Sequence, residues 1–166
     1  MHLTVTSTYP APVAEVAAML AAEPFVRWRA GRTSPGGTVD QADVSGSLDG
    51  GFTSTVRRTV PTTDIPSQVR SFVGDHVEIR QVEVWEPGTA SPRGTVTLEI
   101  TGAPIRLTGT VRLEDLPDGG TAQTYDGVLR AAVPLFASTI EKAAAQAVRD
   151  ALSAEEVAGR EWLTAP

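Results

Sequence analysis

Cysteine is absent from this 166-residue chain, which excludes disulfides, thiol nucleophiles and thiolate metal sites. Histidine is nearly absent: His2 and His76 are too few and too far apart for a zinc site or a histidine-based triad. Lysine occurs once, at Lys142, and 14 Lys and Arg against 20 Asp and Glu leave a formal charge of −6. A nucleic-acid partner would want a basic face, so none is expected. No apolar run approaches the ~20 residues of a membrane helix. The N-terminal MHLTVTSTYP carries neither a basic n-region nor an apolar h-region. Neither integral membrane association nor an export signal is expected, and a cytoplasmic location is the default. A glycine-rich phosphate loop with lysine and a nucleophile elbow are both missing, and no cofactor is expected.

What is present is ordinary in bulk. Hydrophobic residues at 41% and charged residues at 20% suit a globular protein, and the length suits one domain over 1–166 with a real core. Leu3, Val5, Ser7 and Tyr9 alternate with polar neighbours as a half-buried strand does, until Pro10 and Pro12 end it. Val13, Val16 and Leu20 then fall at helical spacing, and Phe25 with Trp28 makes a second short helical or turn-like face after Pro24. A weak, poorly phased strand over Val39 to Gly46 reaches the hairpin signal Asp49-Gly50-Gly51. Strands follow over Phe52–Val60, His76–Glu86, the stretch holding Val96, Leu98 and Ile100, the stretch from Ile105 to Leu113, and Thr121 to about Val133. A short helix is predicted at Ser67–Val73.

From Pro134 to about Leu163 the chain reads as one long amphipathic helix. Its apolar stripe includes Phe136, Ile140, Ala143, Ala144, Ala147, Ala151 and Leu152. The order is β-α-α-β-β-(short α)-β-β-β-β-α. Consecutive hairpins with helices to one side make an antiparallel α+β fold.

Four groups of residues decide what such a fold contains. Arg58 shares a strand face with Phe52, Val56 and Val60, where a guanidinium is costly unless paired. Glu83 is the obvious partner if its strand face points inward; otherwise Arg58 reaches out at the strand end. The strand His76–Glu86 changes phase midway. Either a bulge sits near Arg80-Gln81, or the inward face carries Gln81 and Glu83 beside Trp85. Tyr125 presents its hydroxyl either to a cavity or to water. The alanine stripe either leaves room for a ligand or lets the helix close on the sheet. Trp28 and Trp85 are expected in the core, and Glu15, Glu23 and Glu155-Glu156 on solvated helix faces.

Several stretches carry a likeness beyond the pattern: Tyr9-Pro10-Ala11-Pro12-Val13 with Val16 and Leu20, then Pro24-Phe25 and Trp28. Asp64-Ile65-Pro66, Val69-Arg70-Ser71-Phe72, Glu83-Val84-Trp85-Glu86 and Val133-Pro134-Leu135 with Ile140-Glu141 continue it. In order and spacing these resemble the START-like (SRPBCC) superfamily, in an uncharacterised bacterial branch known as a domain of unknown function. The likeness covers essentially the whole chain. It departs at Ala137-Ser138, where a glycine near the helix start would be expected. The resemblance implies a helix-grip fold: a curved antiparallel sheet of about seven strands around the long C-terminal helix, with two short helices after strand one. It also implies an apolar cavity, commonly holding lipids, sterols or polyketides. The residues expected to meet such a ligand are Val56, Arg58, Glu83, Trp85, Leu98, Leu107, Tyr125, Leu129, Ile140 and Ala144. The partner expected is therefore a hydrophobic or amphipathic small molecule. A cofactor-free cyclase or aromatase-like enzyme and a ligand-free protein-interaction module are the alternatives.

Overall fold

A computed structural model describes all of residues 1–166. Strand β1 (His2–Tyr9) leads into helices α1 (Val13–Leu20) and α2 (Glu23–Arg32). Strands β2 (Thr38–Ser47) and β3 (Gly51–Pro61), helix α3 (Ser67–Val73), and strands β4 (His76–Trp85), β5 (Arg93–Ile100), β6 (Ile105–Asp115) and β7 (Thr121–Ala131) follow. The chain ends in helix α4 (Ala137–Thr164). All seven strands form one antiparallel sheet in the order β1-β7-β6-β5-β4-β3-β2, so only the β1–β7 pairing joins strands distant in sequence.

Local chemistry accounts for most boundaries. Pro24 falls in the first turn of α2, where its missing N–H costs nothing, so it starts a ten-residue helix that the sequence pattern only half suggested. The long helix begins three residues later than expected. Leu135 takes a left-handed backbone (φ 68°) that interrupts any helix running from Pro134.

The ambiguous strand resolves without a bulge. β4 pairs continuously with β3, from Phe52 opposite Trp85 to Pro61 opposite His76. Its inward side therefore carries Gln81, Glu83 and Trp85, all buried. The irregularity lies in β2 instead, where the register with β3 shifts between Val39 and Gln41. That shift explains the poor phasing of β2 in the sequence.

The main core lies between the sheet and α1, α2 and α4, around Phe25, Leu20, Leu113, Leu129, Val111 and Ile140. A smaller cluster of Val26, Ala30, Ala42 and Val56 fixes α2 onto β2 and β3. α4 crosses β1 and β7, burying Ile140, Ala145, Leu152, Glu155, Ala158 and Gly159. Its first turns are tied to β7 by Glu141, which accepts the Ala131 N–H at 3.1 Å. Its last turns are held by Trp162 against Phe25 and Trp28 (5.4 and 5.6 Å between centroids) and by Glu161 on Arg32 (2.6 Å). No helix is long and apolar enough to cross a membrane.

A candidate ligand site around a buried polar network

Where α2, α4 and the concave face of the sheet meet, the core is not apolar. Arg29, Arg58, Glu83 and Glu155 are all buried there, with Gln81, Gln123, Thr33, Tyr9 and Tyr125 around them. Glu83 is the hub. Its Oε1 accepts Gln81 Nε2 and Tyr125 OH, each at 3.0 Å, and its Oε2 accepts the Trp85 indole N–H at 3.2 Å. Tyr125 in turn accepts Gln123 Nε2 (2.8 Å), while Tyr9 donates to Gln123 Oε1 (3.1 Å). The chain of bonds links strands from both halves of the sheet, and every member points inward by strand alternation.

The charges are balanced but unevenly paired. Arg29 lies between two carboxylates, 3.3 Å from Glu155 and 3.9 Å from Glu83, with its guanidinium 5.5 Å from the Phe25 ring centre. Burial works against its charge, yet Glu155 and then Glu83 more than offset that and hold the proton more tightly than usual. Arg58 has no carboxylate within ion-pairing distance. It makes one hydrogen bond, 2.5 Å to Thr33 Oγ1, although only 3% of its surface is exposed. Burial lowers its proton affinity, an effect that Glu155 partly opposes and Arg29 reinforces. No enclosed side-chain nitrogen or oxygen lacks a partner, so the unbonded Arg58 nitrogens are not fully enclosed.

Arg58 borders a small void of about 30 Å³ beneath α4. Such a volume holds about one or two waters. Arg58, Gln81, Tyr125 and Glu155 border it, but its accessible wall is almost wholly apolar, formed by Leu98, Leu107, Val148 and Ala151 among others.

Several sequence expectations find different positions here. Arg58, Leu98, Leu107 and Tyr125 border the void. Arg58 does not pair with Glu83; Arg29 from α2 takes that role, and Thr33 takes Arg58. Val56 lies in the small cluster under α2, away from the void. Leu129 and Ile140 are solid core near the start of α4, and Ala144 is half-buried about a turn short of the void. Trp85 turns its indole N–H to Glu83 but its ring lines a separate groove near α1. Within the alanine stripe Ala151 lines the void, whereas Ala147 is exposed.

Glu155 is the plain correction: it is buried against Arg29, not solvated. Its signal was its phase, three residues after Leu152 and three before Ala158 in the buried stripe. Arg29 carried a similar signal, four residues after Phe25. Gln123 sits two residues before Tyr125 on the same strand face. No three His, Asp or Glu side chains cluster closely enough to hold a metal ion.

The whole architecture recurs in solved structures. TTHA0849 from Thermus thermophilus is 12% identical, with each chain fully covered and a TM-score of 0.63. The Zhui aromatase/cyclase from Streptomyces sp. R1128 is 18% identical over 99% of this chain and 96% of that one, with a TM-score of 0.60. A START superfamily protein from Mycobacterium smegmatis is 11% identical over 98% and 99%, with a TM-score of 0.57. These likenesses establish the START-like helix-grip fold. No curated protein matches the chain in sequence. Residues 4–163 match the family described as "Protein of unknown function (DUF2505)", and the chain belongs to that family.

Proposed function

We propose that this protein binds an amphipathic small molecule between the sheet and α4, with an acceptor oxygen of the ligand on Arg58. The observation that carries the proposal is the pairing state of Arg58. A guanidinium buried with one hydroxyl partner, at the border of a void, is poorly compensated for a purely structural group. A carboxylate, enolate or carbonyl oxygen would complete it, in bidentate fashion for a carboxylate. Tyr125 and Glu155 border the same space, and Glu83 orients Tyr125 from behind. Leu98, Leu107 and Val148 would take the apolar part, at about 2.5 kcal/mol per 100 Å² of apolar surface buried.

A void of about 30 Å³ accommodates no such molecule as it stands. Binding therefore requires α4 to lift along its middle turns, between the Glu141 tie and the Trp162 clamp. Ala144, Val148 and Ala151 there are short, so the contacts to be released are chiefly those of Leu152 and the Glu155–Arg29 pair. Native mass spectrometry of the purified protein, with titration of fatty acids and aromatic polyketide-like acids, tests this reading. Ligand retention that Arg58→Met abolishes supports it. Absence of any bound or titratable amphiphile counts against it.

Two other readings draw on specific observations. Titratable groups on one void, in a fold shared with an aromatase/cyclase, favour a cofactor-free cyclase-like enzyme. Turnover of candidate polyketides lost in Tyr125→Phe or Glu155→Gln would select it. A nearly filled interior, with Leu135 98% exposed beside the contacting rings of Phe72 and Phe136, favours an interaction module. Binding of no small molecule by a protein that partners another through this patch would select that.

A further inference from the structure

A roomier concavity than the void under α4 lies elsewhere on the molecule. A groove of about 440 Å³ lies at the opposite end of the sheet from Phe136, between α1 and the β4–β5 loop. That volume is within the roughly 300–1,000 Å³ of ordinary small-molecule sites. Its floor is the exposed edges of otherwise buried Val13, Ala17 and Leu20 of α1 and of the parallel rings of Phe52 and Trp85 (5.8 Å between centroids, 12° between planes), with Pro92 at the side.

The groove is tied open. Gly88 N–H donates to Asp49 O (3.3 Å), Leu113 N–H to Pro92 O (2.8 Å), and Arg93 holds Glu86 at 2.8 Å, so the loop wall is bonded to the β2–β3 turn and to β6 and is clasped at its own base. Its charge has one sign. No Lys, Arg or His lines it, while Glu86 and Asp115 do, and Asp115 has no ion-pair partner. The void at Arg58, by contrast, is bordered by charges of both signs.

We propose that this groove is a separate small-molecule site that takes an aromatic cation, its ring system among Phe52, Trp85 and the α1 side chains and its charge at Asp115. Apolar burial and ring contacts would supply affinity. The unpaired carboxylate at the rim would reject anions. This site is independent of ligand binding beneath α4.

Isothermal titration of three probes of one shape, naphthylmethylamine, naphthalenemethanol and naphthoate, tests it. The amine is expected to bind best and the carboxylate at least about tenfold more weakly. Ala14→Trp and Ala90→Trp, at exposed positions on opposite walls, are each expected to weaken the amine tenfold or more with the circular dichroism unchanged. Asp115→Lys is expected to reverse the order of amine and carboxylate. Arg58→Met, which alters only the other chamber, is expected to leave amine binding as it was. Failure of the amine to bind, no charge preference, indifference to both tryptophans, or loss of binding in Arg58→Met would each overturn the assignment.

Discussion

Gly159 of α4 lies directly against the ring of Tyr9: a Cβ at this position would fall 2.4 Å from Tyr9 Cε1. The helix can approach β1 this closely only because the side chain is missing. The resemblance suggested a glycine at the other end of the helix, near Ala137-Ser138; the close approach is made here instead. Tyr9 begins the bond chain that runs through Gln123 and Tyr125 to Glu83, so the contact also sets the polar network. Gly159→Ala should destabilise the protein by about 1–3 kcal/mol through overpacking, despite alanine's better helix propensity. Urea unfolding measures it, and a gain in stability would mean that Tyr9 has room to move.

Arg29 is the counter-charge for two buried carboxylates. Arg29→Met leaves Glu83 and Glu155 without their cation and should cost about 3–5 kcal/mol. Adding Glu83→Gln and Glu155→Gln to the same chain should recover much of that loss, because the uncompensated charge disappears. Equal stability of the single and triple variants would show that the ion pairs do not govern this region.

Arg58 should behave in the opposite way. With only Thr33 as partner, its replacement by methionine removes an expensive buried charge while keeping much of the volume. Arg58→Met should leave stability unchanged or raise it by about 1 kcal/mol. A loss of about 2 kcal/mol or more in urea unfolding would make Arg58 a structural residue and remove the main support for ligand binding beneath α4.

The two tyrosines of the chain give a pH signature. Burial, with Glu83 next for Tyr125 and only partly opposed by Arg29 for Tyr9, pushes both phenols above the ordinary value of about 10. A folded-state pKa above the unfolded one adds stability that is fully present below about pH 10 and declines as pH rises beyond it. Folded protein should therefore show no tyrosinate absorbance at about pH 10 to 11, and unfolding free energy should fall over the same range. Tyr125→Phe should flatten that slope by about one proton. Tyrosinate absorbance rising near pH 10 in protein still folded by circular dichroism would contradict the buried network.

Much of the layout was legible in the residues themselves. Alternation marks β1, β5, β6 and β7, the 3.6-residue period marks α1 and α4, and Asp49-Gly50-Gly51 marks the β2–β3 turn, because each depends on local geometry alone. The order of elements then limits the fold to an antiparallel sheet carrying a terminal helix. Even the buried charges had a trace in the chain: Glu155 and Arg29 occupy inward positions by helical phase.

Which groups meet was decided only in three dimensions. Periodicity says which side of an element a residue occupies, but not what faces it across the core. Arg29 reaches Glu83 and Glu155 because α2 packs between the sheet and the end of α4, contacts that join residues 54 to 126 positions apart. The β4 phase was settled by its ladder with β3, since Val77, Ile79, Val82 and Val84 suit either face. The width of the space beneath α4 followed from Gly159 and the aromatic clamp, which draw the helix down. Nothing in a stripe of alanines dictates that distance, because a small side chain permits both a gap and a close contact.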